Sequence, residues 1–157
     1  MKSEARKYIL IWGPLSAAGV ARLAHEGSCV LVPESRPSLL GLKHNLPLLK
    51  AKGIDCVYCP DNALGSLFYA GRIATTLLFC RGSASGDMQG VCGSLYAGLL
   101  SRLHGVAVEV LEEGSCDRGV LDRDASTLEG RNFILEEDPG KYIIRQDYES
   151  IKEEFLK

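Results

Sequence analysis

Nowhere in this chain is an apolar run long enough to cross a bilayer, which excludes a helical membrane span. Charge of one sign is also missing. Eighteen Lys and Arg against 20 Asp and Glu leave a net charge of -2, so no basic field is present to hold a phosphate backbone, and direct nucleic-acid binding is not expected. Histidine is scarce: His25, His44 and His104 are scattered, none at ligand spacing from a cysteine, and no metal site is expected. The Gly-Lys-Ser/Thr signature of a phosphate loop is absent, as is a Gly-x-Ser-x-Gly elbow. No cysteine has an evident histidine partner, which leaves nucleophilic catalysis without support. There is no internal repeat, no low-complexity block and no second domain, and no cofactor is expected. The charged start, Met1 to Lys7, precedes a strand too short for the core of a signal peptide, so a cytoplasmic location is the expectation.

What is present is enough for one ordinary domain, 1–157, with a real core. Hydrophobic residues make up 46% of the 157 positions and charged residues 24%, the balance of a globular protein. Four of the six cysteines (Cys29, Cys56, Cys59 and Cys80) lie in or at the ends of apolar runs, where a free thiol acts as a small hydrophobe. Cys56-Val57-Tyr58-Cys59 has redox spacing, but on a strand residues three apart point to opposite faces.

Strand and helix patterns alternate. Tyr8 to Trp12 reads as a first strand, followed by a helix capped by Ser16, running through Glu26 and closed by Gly27. Cys29 to Val32 is the second strand, and a helix from about Leu39 to Lys52 follows, kinked or delayed by Pro47. Ile54 to Cys59 is the third strand, Ala63 to Ala70 a short helix, and Thr75 to Cys80 the fourth strand. Cys92, Leu95, Tyr96, Leu99, Leu100 and Leu103 recur at three- and four-residue steps and mark the clearest helix, before a fifth strand from Val106 to Leu111. This rhythm predicts a Rossmann-like α/β fold, a parallel sheet with helices on both faces. After Leu111 it breaks into an irregular acidic segment, Glu112 to Gly140, with a strand-like run at Asn132 to Leu135. Tyr142-Ile143-Ile144 reads as a short last strand and Gln146 to Lys157 as a closing helix.

Three of these strands stop at polar turns, and open α/β sheets gather ligands at the carboxyl ends of parallel strands. The second ends at Pro33-Glu34-Ser35-Arg36-Pro37, the third at Pro60-Asp61-Asn62, and the fourth at Arg81-Gly82-Ser83-Ala84-Ser85-Gly86-Asp87. A single shared site is the expectation. The long turn leads into a helix, and there Arg81, Ser83, Ser85 and the amides around Gly86 and Asp87 suit a phosphate, with a plain capping loop as the alternative. Glu34 and Arg36 suit a ligand's hydroxyls and phosphate, or pair with each other and stiffen the strand end. Asp61 and Asn62 suit a sugar or nucleotide contact, or cap the next helix.

These turns resemble those of the family that joins the α, β and δ regulatory subunits of eukaryotic translation initiation factor 2B to two sugar-phosphate isomerases, acting on methylthioribose 1-phosphate and ribose 1,5-bisphosphate. The family's Glu-Thr-Arg-Pro resembles Glu34 to Pro37, and its Thr-Asp-Asn resembles Pro60-Asp61-Asn62. Its Asn-Gly-Asp and following Gly-Thr resemble Ser85-Gly86-Asp87 and Gly93-Ser94. Order and spacing hold from about Tyr8 to Val110, leaving 111–157 as an extension. The resemblance implies the C-terminal, Rossmann-like domain of that family, without its N-terminal helical domain. It also implies lost chemistry. The isomerases' catalytic cysteine falls in the loop that here reads Trp12-Gly13-Pro14, their aspartate falls on Cys80, and an Asn-Lys pair falls on Gly90-Val91. Losing an acid or base costs a factor on the order of 100 to 10,000.

The expectation is therefore a non-catalytic protein, similar to the initiation-factor subunits, that binds a partner, a small phosphorylated ligand, or both. The alternatives are a diverged sugar-phosphate isomerase using Asp87, Arg81 or Cys80 in new roles, and a purely structural oligomerisation module. The family assembles through this domain, so the resemblance implies a homodimer, with the Val91 to His104 helix and the last segment as candidate interface.

Overall fold

The computed structural model describes residues 6–36, 38–82, 86–116, 137–138, 141–142 and 148–155. Four parallel strands, β1 (Tyr8–Trp12), β2 (Cys29–Pro33), β3 (Cys56–Cys59) and β4 (Ile73–Gly82), lie in the order β3-β2-β1-β4. A later strand, β6 (Ala107–Glu112), adds parallel to β4. The predicted α/β fold is the one observed, and β1, β2 and β4 are nearly continuous apolar runs because both sheet faces are covered.

Side chains alternate between two cores. Leu10, Trp12, Leu31 and Leu78 point into a layer with Leu64 and Phe68 of α3 (Leu64–Tyr69) and Ala97 of α4 (Ser94–Leu103). Ile9, Ile11, Val30, Val32, Leu77 and Phe79 point the other way, against Leu23 of α1 (Ala17–Glu26) and Leu49 of α2 (Leu46–Ala51). Cys59 belongs to the first layer and Cys56 to the second, so these two thiols are on opposite faces of the sheet.

Local signals set most element ends. Ser16 caps α1, its hydroxyl accepting from the Gly19 amide, and Gly27 closes it at φ 60°. Pro47 sits in the first turn of α2, where its missing N–H costs nothing. The chain reaches that turn through a π-helical turn, Gly41–Asn45, so the proline delays the α-helix rather than kinking it. The third strand starts at Cys56, and a 3-10 turn, Asp61–Ala63, leads into α3.

Two expectations are corrected. The turn after the fourth strand does not open a helix. β4 runs on to Gly82 and returns as an unpredicted strand, β5 (Met88–Val91), in an antiparallel hairpin. Cys80 pairs both with Glu112 of β6 and with Gly90 of β5. Two partners at one residue occupy opposite edges of a strand, so β5 takes up the edge that β1 leaves after Trp12. Gln146 to Lys157 is no helix across its described part: β9 (Tyr148–Ile151) pairs antiparallel with β5, followed by a 3-10 turn, Glu153–Phe155. Tyr142 belongs to a two-stranded ribbon of β7 (Glu137–Asp138) and β8 (Lys141–Tyr142), while Asn132 to Leu135 and Ile143-Ile144 lie outside the described residues.

In α4 the small residues face the sheet. The buried positions of this helix are Ser94, Ala97, Gly98 and Ser101, while Tyr96, Leu99 and Leu103 are 41%, 43% and 77% exposed. Both sets keep helical spacing, and the small residues face the sheet because they permit close approach. The Ser101 hydroxyl donates to Thr76 Oγ1 at 2.7 Å, satisfying both groups inside the core.

Candidate functional site

The carboxyl ends of β1, β2, β3, β4 and β6 share one edge of the sheet, and the polar turns divide into two clusters along it. At the ends of β2 and β3, Asp61 receives the Ser35 amide at 2.7 Å and the Arg36 amide at 2.8 Å. Ser35 is buried with φ 57°, a left-handed geometry that a non-glycine residue holds only when neighbours enforce it. Arg36 Nε donates to Glu34 Oε2 at 3.0 Å. Burial pushes the Asp61 carboxyl up, against the two amides that pull it down. Asp61 thus latches one turn to the next and gives no side-chain cap to the 3-10 turn it starts. Asn62 is exposed.

The second cluster lies two strands away, about 10 Å at ordinary strand spacing. Arg81 donates from Nε to Gln89 Oε1 at 3.2 Å, across the β4–β5 hairpin. Its guanidinium carbon lies 3.6 Å from the centroid of the Tyr148 ring. The Tyr148 hydroxyl donates in turn to the Glu113 carboxylate, 3.3 and 3.2 Å from its two oxygens. Gly86, at φ 87°, turns the hairpin, and Asp87 accepts from the Ser150 hydroxyl at 3.3 Å. Ser83 and Ser85 lie outside the described residues.

Arg81, Glu113 and Tyr148 line a cleft of about 750 Å³ whose wall also includes Cys80, Cys116 and Met88. The loop after β6 is held firmly there: the Glu113 amide donates to the Cys80 carbonyl at 2.9 Å and the Gly114 amide to the Pro14 carbonyl at 2.8 Å. Burial lifts the Glu113 carboxyl above its ordinary range, while the Tyr148 hydroxyl and Arg81 pull it back. Cys80 is almost wholly buried, and its thiol is pushed up to about 12, so it stays protonated at neutral pH.

Sequence reading missed Glu113 and Tyr148. One lay in an acidic stretch without periodicity, the other in a segment read as helix, and they are 35 residues apart. The helix N-terminus that a phosphate would use begins at Ser94 rather than after Asp87. Its Gly93 and Leu95 amides donate to the two oxygens of Glu149, at 3.0 and 2.9 Å.

The loop after β1 has no room for a side chain at its first position. Gly13 has φ 95°, and a Cβ there would run into the Phe79 carbonyl oxygen.

No protein-family model matches the sequence. Over 122 residues the chain is 32% identical to a methylthioribose-1-phosphate isomerase of Synechococcus sp., an alignment covering 74% of this chain and 36% of that protein. The same-named protein of Syntrophobacter fumaroxidans is 31% identical over 121 residues, with 35% of it covered. The chain thus spans about a third of the length of these curated relatives. Among solved structures, 5-methylthioribose 1-phosphate isomerase from Pyrococcus horikoshii superposes with a TM-score of 0.70 at 17% identity, over 96% of this chain and 48% of that one. The delta subunit of translation initiation factor eIF-2B from A. fulgidus also gives 0.70, at 15% identity, over 97% of this chain and 51% of that one. At these identities the structural likeness speaks for the fold.

Proposed function

This chain belongs to the family that includes methylthioribose-1-phosphate isomerase and the eIF-2B subunits, and we propose that within it the chain is a non-catalytic binding protein for a small phosphorylated ligand. The observation that carries this reading is the state of the two positions where the resemblance puts the isomerases' catalytic groups. At Gly13 the backbone excludes any side chain, because Phe79 fills the space. At Cys80 the residue is a buried thiol that holds its proton to about pH 12, and a proton acceptor at pH 7 needs a pKa far lower.

The binding half of the reading rests on the cleft. It combines the Arg81 guanidinium, the Glu112 and Glu113 carboxylates and the Tyr148 phenol, set at the carboxyl edge of a mostly parallel sheet, the usual place for ligands in open α/β folds. The turns at Glu34, Arg36, Asp61 and Asn62 frame the same edge. Titration calorimetry with ribose 1,5-bisphosphate, methylthioribose 1-phosphate and purine nucleotides tests this half, with binding of at least one expected. Turnover of either sugar phosphate would overturn the non-catalytic half. It would favour a diverged isomerase, the activity that the curated relatives' names carry.

A second reading, assembly with another copy of the chain, is favoured by α4. Its outer face presents Tyr96, Leu99 and Leu103 at i, i+3 and i+7, apolar and exposed, opposite the face that packs on the sheet. Light scattering is expected to report a dimer, with Leu99→Asp shifting it to monomer. A wild-type monomer at all concentrations would remove this reading.

A further inference from the structure

Within the cleft, which Arg81, Glu112 and Glu113 line with their charges, one side chain touches both Arg81 and Glu113. The Arg81 guanidinium carbon lies over the face of the Tyr148 ring, 3.6 Å from its centroid, and the Tyr148 hydroxyl reaches both oxygens of Glu113 at 3.2 and 3.3 Å. Stacking on a face leaves a guanidinium's edge as the direction for hydrogen bonds. Gln89 takes the Nε position, so ring and amide together fix the plane in which Arg81 lies. A fixed plane is what two-point recognition of an oxyanion requires. Glu113, held through its own amide by Cys80, accepts from that same phenol.

Tyr148 is itself held from two sides. It opens β9, where it pairs with Val91 of β5. Its neighbour Glu149 clamps the first amides of α4, and Ile151, three residues on, is fully buried in the core. The ring is therefore placed by the strand and not by a free loop.

We propose that Tyr148 is the positioning and selectivity residue of the cleft. Its ring presets Arg81 for a ligand's oxyanion, and its hydroxyl, shared with Glu113, receives a ligand hydroxyl adjacent to that oxyanion. The small phosphorylated ligand is thereby held by both of its ends. This assignment rests on the small-ligand reading above and adds which residues divide the work.

The test is calorimetry on the intact chain with ribose 5-phosphate and with inorganic phosphate, comparing wild type with Tyr148→Phe, Tyr148→Leu and Glu113→Gln. Tyr148→Phe keeps the ring and the strand pairing, so loss of folding does not confuse it. It is expected to leave phosphate affinity unchanged and to weaken ribose 5-phosphate about tenfold, the effect of one hydrogen bond shared with a charged group. Glu113→Gln is expected to follow the same split. Tyr148→Leu removes the stacking surface and is expected to weaken both ligands. Carboxyl NMR of Glu113 supplies a ligand-free readout: its titration should move up in Tyr148→Phe. Equal affinities across wild type and variants overturn this assignment alone. Silence of the wild type toward both ligands and the wider sugar-phosphate and nucleotide panel overturns the small-ligand reading together with it.

Discussion

The side-chain amide of Asn45 closes the loop around Gly13: its Nδ2 donates to the Gly13 carbonyl at 3.0 Å, and its Oδ1 accepts from the Leu15 amide at 2.9 Å. Asn45 is buried and ends the π-helical turn before α2, so one residue ties β1, α1 and α2 together at the carboxyl edge of the sheet. Replacing it by Ala leaves a buried N–H and a buried carbonyl unpaired, at about 1–3 kcal/mol each. Thermal unfolding is expected to show a clear loss of Tm, roughly 2–4 °C for each kcal/mol. An unchanged Tm would mean that water replaces the amide at no cost.

Asp61 governs the neighbouring turn. Without its carboxylate, the Ser35 and Arg36 amides lose their acceptor and Ser35 loses the contact that holds it at φ 57°. Asp61→Ala is expected to destabilise the protein by about 1–3 kcal/mol, and Asp61→Asn by less, since one acceptor oxygen remains. Urea denaturation measures both, and equal losses would show that the charge, not the acceptor geometry, matters.

A cysteine at Gly13, where the resemblance puts the isomerases' cysteine, is not expected to support turnover. Gly13→Cys places a Cβ against the Phe79 carbonyl in a left-handed backbone, at an expected cost above about 2 kcal/mol. The variant is expected to unfold at lower denaturant and to show no turnover of methylthioribose 1-phosphate. A stable, active variant would show that the loop adapts to a side chain at this position.

Glu113 gives stability a pH dependence of known sign. Burial sets its native pKa above the ordinary 4.5, so across that window the folded protein holds a proton that the unfolded chain releases. Its contribution is fully present below pH 4.5 and is lost as pH rises through the native value. Glu113→Gln removes this component. Between pH 4.5 and neutrality its stability should therefore fall less than that of the wild type, as read from denaturant midpoints. Parallel curves for the two proteins would refute the shift.

Much of the frame was legible because its signals are local. Ser16 and Gly27 bound α1 through a hydroxyl and a left-handed turn, and Pro47 set where α2 begins. Leu10, Leu31 and Leu78 could be read as sheet core from unbroken apolar runs alone. The hairpin beyond Cys80 could not. Met88–Val91 is neither long nor strongly apolar, and its strand state comes from pairing with β4 on one side and Tyr148–Ile151 on the other. Secondary structure that exists only through distant partners leaves little trace in a local window.

The α4 face shows the same division from the other direction. Periodicity established that residues 94–103 are helical, and that result stands. Which stripe faces inward was decided by the sheet, where Thr76 and the close approach over β4 favour Ser94, Ala97 and Ser101 over Leu99 and Leu103, with Leu95 and Leu100 packing at the sides. The sequence by itself determined the α/β order, the caps and the three polar strand ends. Tertiary structure alone joined Asp61 to Ser35, and brought Arg81, Glu113 and Tyr148 into one cleft. The reason is physical: caps and apolar periods act within a few residues of chain, whereas a cleft forms where strands far apart in sequence end side by side.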